Sequence, residues 1–478
     1  MASNGIISAT LWSSIQRFGG LAISFVSNMV LARLLSPDDF GVMGLIMVFV
    51  VVADVLVDGG LGNALIQKKE LVEKDKTTIF TANLFFSFCL FGLLFLLAPF
   101  LEKVTEVPGF ALLLRVQAVC VLIRAFYVIN VAEITRNLNY QHLANIALIS
   151  QFSSTLISII MAYNGMGVWS LLWKTILLDF FCCLLYAIVS PFRYKISFDK
   201  GAFRGLFSFG FPVALANIIE SLYSNIVSFI IGKAYSVKDL GYFNQANSLK
   251  QIPVYSVSSV INQVFFPFFS RIQDDSDALK NKFQKTIKVV TFFIYPLLSF
   301  LIFFAEPVIT LFYSEKWVPC VPIFQVLCLS GFFNSLYHLS RSTIKALGKS
   351  KLLLYTQFFI VIISLIFVAF FLQYSILTFV WVVVIDAVIS YSVVGFYVGK
   401  DLRYSLFCQF RDFGFTMVLS LVVAYGSLQM SGLCELPMIA NTILFFVVNI
   451  LLYFAVSLIL RNEVSVMTLG IIRAKFIK

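Results

Sequence analysis

Apolar stretches of about 20 residues, each long enough to cross a bilayer as an α-helix, fill most of this sequence. Membrane barrel strands would instead appear as segments of about 10 residues with alternating polarity. The pattern therefore predicts an all-α membrane protein with about fourteen transmembrane helices. We place them at residues 8–33, 40–62, 78–99, 111–132, 144–163, 167–190, 206–232, 240–265, 286–305, 319–347, 352–373, 376–398, 409–429 and 437–460.

The composition agrees with this class. Of the 478 residues, 60% are hydrophobic and 12% are charged, and the mean hydropathy is +0.94. Soluble domains carry about 25% charged residues and could not hide this much apolar surface from water. The N-terminal residues lack a basic segment before the first apolar stretch, so we expect the first helix to be retained rather than cleaved.

The distribution of Lys and Arg predicts the orientation. Loops on one side of the predicted helices carry about five times as many basic residues as loops on the other side. Both termini are therefore expected in the cytoplasm. The net charge of +11 is spread over this inner face, where anionic membrane lipid attracts it, and nucleic acid is not an expected partner.

An internal repeat divides the chain. Residues 33–41 (RLLSPDDFG) align without gaps with residues 233–241 (KAYSVKDLG). We predict an N-terminal six-helix bundle at 1–200, a C-terminal six-helix bundle at 201–400 in parallel pseudo-repeat, and two extra transmembrane helices with a basic cytoplasmic tail at 401–478. Such bundles are typical of transporters that rock one bundle against the other around a central site.

Ionisable residues inside the predicted helices are the candidate site residues, because a charge at membrane depth is costly and normally faces a protein interior or a watery cavity. Cations suit an anionic head group, since Arg binds phosphate through its bidentate fork. The candidate substrate-binding cations are Arg17, Arg115, Arg124, Lys174 and Lys250. The candidate ion-coupling acids are Asp54, Asp58, Glu220 and Asp386; Asp179 is a further buried acid without an assigned role.

A second interpretation of these charges stays open. They are equally compatible with pairing among themselves, for example Arg17 with Asp54 or Asp58, to hold helices together. The first predicted helix favours a cavity, because its polar residues recur at helical spacing and form one stripe. The stripe consists of Ser13, Arg17, Gly20, Ser24 and Asn28.

The sequence offers little support for a metal site, a cofactor or ATP hydrolysis. The two histidines lie far apart and the eight cysteines include no C-x-x-C pair, so neither a metal site nor a cofactor is expected. A phosphate-binding loop is missing, which argues against direct ATP use. We do not expect an enzyme. The alternatives are an ion-coupled drug or cation antiporter, which needs an acidic cavity, and a membrane glycosyltransferase or polymerase, which needs a large outer loop.

Several segments carry a family resemblance. The strings LARLLSPDDFGVMG (31–44), VDGGLGNALIQKK (57–69), IGKAYSVKDLGYFNQA (231–246) and SSVINQVFFPFFSRIQDD (258–275) are similar to Wzx-type flippases. These form the polysaccharide-transporter branch of the multidrug/oligosaccharidyl-lipid/polysaccharide exporter superfamily, here nearest the colanic acid and teichuronic acid exporters. We interpret the glycines of these motifs, Gly41, Gly62 and Gly241, as turn and packing positions rather than ligand contacts.

The resemblance implies a V-shaped, MATE-like fold with a cationic central cavity in the bacterial inner membrane. It also implies a function: alternating access that moves undecaprenyl-diphosphate-linked oligosaccharide repeat units to the periplasmic leaflet. The product would enter lipopolysaccharide, capsule or exopolysaccharide biosynthesis. Glycosyltransferases and a polymerase of the same pathway are the expected partners, beside membrane lipid.

Overall fold

The computed structural model describes residues 2–58, 65, 72–137, 139–190, 195–261, 265–273 and 275–476, and almost all of them are helical. The first eight helices are α1 (Ala2–Leu34), α2 (Pro37–Asp58), α3 (Glu73–Thr105), α4 (Phe110–Gln117), α5 (Val119–Arg136), α6 (Tyr140–Tyr163), α7 (Val168–Val189) and α8 (Lys200–Ala234). Ten more follow: α9 (Val237–Val260), α10 (Phe266–Arg271), α11 (Ser276–Phe303), α12 (Ala305–Phe312), α13 (Val321–Ala346), α14 (Ser350–Phe371), α15 (Ile376–Asp401), α16 (Leu406–Ser431), α17 (Met438–Ile459) and α18 (Glu463–Phe476). A 3₁₀-helix, Glu315–Cys320, leads into α13.

Twelve helical segments of the described chain are long and apolar enough to cross a membrane. In two of them a short helix continues into a longer one, α4 into α5 and the 3₁₀-helix into α13. The predicted all-α membrane class is confirmed. Helices also form at the two remaining predicted positions, as α8 and α9, but the count of fourteen membrane-spanning helices stays a prediction.

The chain forms two compact units, Met1–Asn244 and Gln245–Lys478. In the first unit α1 packs against α6, α6 against α7, and α2 against α8, while α3 contacts α4 and α5. In the second unit α13 packs against α11 and α15, and α16 packs against α11 and α17. The predicted bundle boundaries at residues 200 and 400 are a different division of the chain from these two units. The bundle boundaries therefore stay a prediction.

Aromatic side chains build the centre of the second unit. The ring of Tyr295 lies 4.7 Å from that of Phe332 in an edge-to-face arrangement, and its hydroxyl donates to the Phe332 carbonyl oxygen at 3.2 Å. Phe413 and Tyr391 pack beside them, with ring centroids 5.6 Å apart. Edge-to-face pairs of this kind add to the stabilisation from burial alone. The core thus fixes α11, α13, α15 and α16 around one point.

Large apolar side chains also cover the outside of the long helices. Leu96 on α3, Ile188 on α7 and Leu451 on α17 are 78%, 67% and 62% exposed. Contiguous exposed apolar surface of this kind is rare on soluble monomers and marks a surface that faces another apolar phase. These helices therefore present lipid-facing surfaces, as expected of a multi-pass membrane protein.

The two copies of the repeated segment have the same local structure. Ser36 precedes α2 and Ser236 precedes α9, and each hydroxyl donates to the aspartate three residues later at 2.7 Å. In return the backbone N–H of Asp39 donates to Ser36 at 3.3 Å, and that of Asp239 donates to Ser236 at 3.0 Å. This reciprocal cap supplies partners for polar groups at a helix start. The sequence repeat is therefore also a structural repeat.

The two copies contact each other inside the first unit. A Cβ added to Gly41 would collide with the carbonyl oxygen of Val237, and one added to Gly241 would collide with that of Pro37. Only glycine permits so close an approach of two backbones. These two glycines are packing positions; Gly62, interpreted in the same way, lies outside the described residues.

Candidate functional site

The charged site of the first unit is centred on Arg124 of α5. Its Nη1 donates to Oδ2 of Asp54 on α2, and its Nε donates to Oδ2 of Asp179 on α7 at 2.9 Å. The Asp54 and Asp179 side chains are 14% and 5% exposed, and the Arg124 side chain is 28% exposed. Such charge-assisted hydrogen bonds are strong in a low-dielectric interior. Mutual pairing thus occurs for Arg124 and Asp54, and one arginine joins three helices.

This cluster carries an excess of negative charge, because one guanidinium faces two carboxylates. The Tyr127 hydroxyl donates to Oδ1 of Asp179 at 2.9 Å, so both oxygens of that carboxylate are bonded. Oδ1 of Asp54, in contrast, is buried and has no hydrogen-bond partner among the described residues. A buried unsatisfied carboxylate oxygen is costly and favours a proton or a small cation beside it. Ion coupling by Asp54 stays a prediction.

Lys174 has a different environment. Its Nζ, on α7, donates to the hydroxyl of Ser27 on α1 at 2.7 Å, and Ser27 is fully buried. Within the part of the chain that is described, Lys174 makes no ion pair with a carboxylate. The neighbouring Thr175 faces α4, where its hydroxyl exchanges hydrogen bonds with Gln117. A half-buried ammonium that only a hydroxyl accompanies inside an apolar helix is a candidate anion-binding group.

Arg115 and Lys250 are held at other places. Arg115 on α4 donates from Nε to the carbonyl oxygen of Phe95 at 3.2 Å, and its guanidinium lies 4.4 Å above the Phe95 ring. Lys250 on α9 belongs to the second unit, is 2% exposed, and donates to Ser330 on α13 at 3.4 Å. The described contacts do not link either cation to Arg124. Their predicted role in substrate binding stays a prediction.

Arg17 is half-buried on α1, within the polar stripe predicted there. Two other members of the stripe contact α6 rather than an open space. The side-chain amide of Gln151 donates to the Gly20 carbonyl oxygen at 3.0 Å and to the Ser24 hydroxyl at 2.6 Å. Part of the stripe therefore serves helix packing, which sequence periodicity could not distinguish from a cavity lining.

The remaining candidate acids are only partly described. Asp386 on α15 is half-buried and accepts a hydrogen bond from the hydroxyl of Ser364 on α14. The side chains of Asp58 and Glu220 lie outside the described residues. For all three, ion coupling stays a prediction.

Three partners of the candidate residues have no role predicted from the sequence. Tyr127 follows Arg124 by three residues, so helical spacing alone places the two side chains on one face of α5. Asp179 was recognised only as a buried acid. Ser27 gave no signal, because a single serine in an apolar helix commonly bonds its own backbone.

Comparisons with known proteins agree with this architecture. The structure of "Lipid II flippase MurJ, inward closed conformation" has 18% sequence identity and a TM-score of 0.74, covering 96% of this chain and 100% of that chain. An inward-facing multidrug resistance MATE family transporter of the MOP superfamily has 15% identity and a TM-score of 0.62, covering 83% of this chain and 99% of its own. At these identities the likeness concerns the fold, and the predicted MATE-like fold class is confirmed.

A curated relative and a family model carry the identification. The lipopolysaccharide biosynthesis protein WzxC of Escherichia coli (strain K12) is 26% identical over 338 residues, 69% of this chain and 67% of that protein. The model of the family described as "Polysaccharide biosynthesis protein" matches residues 30–322, more than half of the chain. The resemblance to Wzx-type proteins is confirmed, and with it the prediction of a transporter rather than an enzyme. The chain belongs to the polysaccharide biosynthesis protein family.

Proposed function

We propose that this protein is a flippase that translocates undecaprenyl-diphosphate-linked oligosaccharide repeat units across the bacterial inner membrane. The family membership supports a role in lipopolysaccharide, capsule or exopolysaccharide biosynthesis. The observation that carries the proposal is Lys174, a half-buried cation inside a span whose described polar partner is the Ser27 hydroxyl. Its charge is available to an anionic head group, because no described carboxylate neutralises it.

The head group is bound through its phosphates. Lys174 donates to one phosphate oxygen as a point charge, and Arg124, whose side chain is 28% exposed, reaches another with its planar fork. Both contacts are charge-assisted and gain strength away from bulk water. The prenyl chain stays in the lipid. Moving it to an apolar protein site would gain no free energy, because lipid tails are already apolar.

Asp54 couples transport to an ion. When phosphate engages Arg124 it competes with Asp54 for the guanidinium, and the Asp54 carboxylate loses its counter-charge. After the head group leaves on the outer side, Asp54 takes up a proton or a sodium ion there at its buried oxygen and carries it through the return step. Release of this ion to the cytoplasm lets the ion pair with Arg124 form again.

Alternating access requires a contact that can break. The reciprocal contact of Gly41 and Gly241 joins the ends of α1–α2 and α8–α9, which the basic-residue distribution assigns to the outer side. We assign it the role of an outer gate. In this contact backbone packs against backbone, and such packing cannot deform gradually. The gate therefore has two states, closed and open.

The experiment is deletion of the gene in its host, followed by isolation of labelled lipid-linked repeat units. The proposal expects loss of surface glycan and accumulation of these units in the cytoplasmic leaflet. Normal glycan display together with increased drug sensitivity would contradict it and favour the ion-coupled antiporter, which the surplus carboxylate of the Arg124 cluster keeps as the second candidate. Glycosyltransferases and a polymerase of the pathway are the proposed partners.

A further inference from the structure

A groove of about 530 Å³ opens between α14 and α15 in the second unit. Its size falls in the range of about 300–1,000 Å³ typical of small-molecule sites. Tyr355 and Phe359 of α14 and Phe396 and Tyr397 of α15 line it, and Leu406, the first residue of α16, lies at one end. The described residues that line the groove include no candidate substrate cation and no candidate coupling acid.

The wall of the groove is apolar and faces outward. Tyr355, Phe359 and Phe396 are 70%, 53% and 56% exposed, so their rings are not part of the protein core. The hydroxyl of Thr356, which also lines the groove, donates to the carbonyl oxygen of Leu352 in its own helix at 2.9 Å and has no need of a ligand. Such a wall accepts a hydrocarbon chain and offers little to a sugar.

The Leu406 end of the groove has a basic rim. Lys351 precedes Tyr355 by one helical turn, Lys400 follows Phe396 by one turn, and Arg403 lies in the connection between α15 and α16. These three side chains are exposed, and none makes an ion pair within the described part of the chain. Lys349, by comparison, pairs with Asp401 at 2.6 Å, which shows that the first turn of α14 and the last turn of α15 meet at this end.

We propose that this groove binds an anionic glycerophospholipid of the cytoplasmic leaflet. One acyl chain lies against the aromatic wall, and the phosphate meets Lys351, Lys400 and Arg403, which belong to the basic face expected to be cytoplasmic. Tyr355 and Tyr397 suit such a ligand, because a tyrosine ring packs against hydrocarbon while its hydroxyl bonds polar head groups.

Two other occupants fit less well. A second copy of the chain in a two-fold contact would bring the three cations of one rim against the same three of the other, which is repulsive. The lipid-linked glycan would require polar side chains for its sugars, and the aromatic wall does not supply them. Charge and lining both favour the phospholipid.

The test is a native mass spectrometry titration of the purified full-length chain with palmitoyl-oleoyl phosphatidylglycerol and, separately, the matching phosphatidylcholine. We expect tighter binding of phosphatidylglycerol, and about tenfold weaker binding in the K351Q/K400Q/R403Q variant, since each basic residue near an anionic lipid adds attraction. The control K195Q/K200Q/K285Q removes the same charge from exposed sites elsewhere and should bind as the wild type does. Ser392→Trp fills the groove and should abolish binding with the rim intact.

Three results would overturn the proposal. Equal affinity for the two lipids would remove the role of charge, and equal loss in the rim and control variants would remove the role of this rim. Displacement of phosphatidylglycerol by an equal concentration of undecaprenyl phosphate would assign the groove to the substrate. Because the rim residues are exposed, their variant tests the site even if Ser392→Trp fails to fold.

Discussion

Gly41 and Gly241, which occupy equivalent positions in the two copies of the repeated segment, each lie against the backbone of the other copy. Gly41 contacts the carbonyl oxygen of Val237, and Gly241 contacts that of Pro37. The sequence repeat therefore brings its own two copies together, with a backbone separation that excludes a side chain at either glycine. If this contact is the outer gate, its stability sets the balance between the inward-open and outward-open states.

Replacing Gly41 or Gly241 with alanine is expected to destabilise this contact. The new Cβ collides with backbone, which cannot move aside as a flexible side chain can, and overpacking of this kind costs about 1–3 kcal/mol. Thermal unfolding in detergent should show a lower Tm for each variant. Gly92→Ala is the control, since nothing lies within 4 Å of the added Cβ and alanine is the better helix former. A Tm equal to that of the wild type in both repeat variants would contradict the contact.

Arg124→Gln is expected to destabilise the protein by about 3 kcal/mol, because it leaves two largely buried carboxylates without a counter-charge. Adding Asp54→Asn removes one of these charges, so the double variant should be more stable than the sum of the single changes predicts by about 1 kcal/mol or more. A double-mutant cycle on thermal unfolding measures this coupling.

The ion pair of Lys233 with Glu106 provides the matched control for that cycle. Its atoms are 2.5 Å apart, but the side chains are 39% and 76% exposed, so solvent screens the attraction. K233Q and E106Q should therefore combine additively. Additive effects at Arg124 and Asp54 as well would show that their pairing does not contribute to the folded protein.

Lys174→Met is expected to abolish transport without reducing the amount of protein in the membrane. Methionine keeps the length and apolar character of the side chain but has no charge for a phosphate, whereas Lys174→Arg keeps the charge and should retain part of the activity. Surface glycan in a complemented deletion strain is the readout. Lys103→Met changes an exposed lysine of α3 and should have no effect. Full activity of Lys174→Met would show that Lys174 does not bind the substrate phosphate.

Glu463→Gln is expected to lower the Tm near neutral pH and to have no effect in acid. Lys288 donates to the Glu463 carboxylate at 2.8 Å and lowers the pKa of that group. A lowered pKa in the folded state stabilises the protein above the unfolded value of about 4.3, and this contribution disappears as the pH falls through the folded value. Since Glu463 is 56% exposed, the effect should not exceed about 1 kcal/mol. A difference between wild type and variant that persists at pH 3 would contradict this origin.

Much of the fold follows from the sequence, because a span has to satisfy its own backbone and therefore has to be a helix. The length of the apolar runs predicts the helices. Two of them, α2 and α9, begin three residues earlier than predicted, at Pro37 and Val237, where the Ser36 and Ser236 caps supply partners for the helix start. The break between α4 and α5 at Ala118 was not foreseen, since no proline or glycine marks it.

The contacts of the candidate site are harder to predict from the sequence than the helices are. The charged residues could be listed, but which of them meet depends on how each helix is rotated about its axis, and spacing along one helix does not fix this. Charge alone is compatible with Arg17 as the partner of Asp54, whereas the described structure pairs Asp54 with Arg124. The Lys174 contact with Ser27 likewise depends on the packing of α7 near α1 and has no sequence signature.

Reconstitution in liposomes measures flipping itself. Purified protein is placed in liposomes that contain a labelled undecaprenyl-diphosphate-linked oligosaccharide, and a membrane-impermeant glycosidase measures how much of it reaches the outer leaflet. We expect nearly complete digestion with the wild-type protein. With Lys174→Met it predicts digestion of about half, the share that lies in the outer leaflet of a symmetric bilayer at the start. Digestion of half of the lipid with both proteins would contradict the assignment as a flippase.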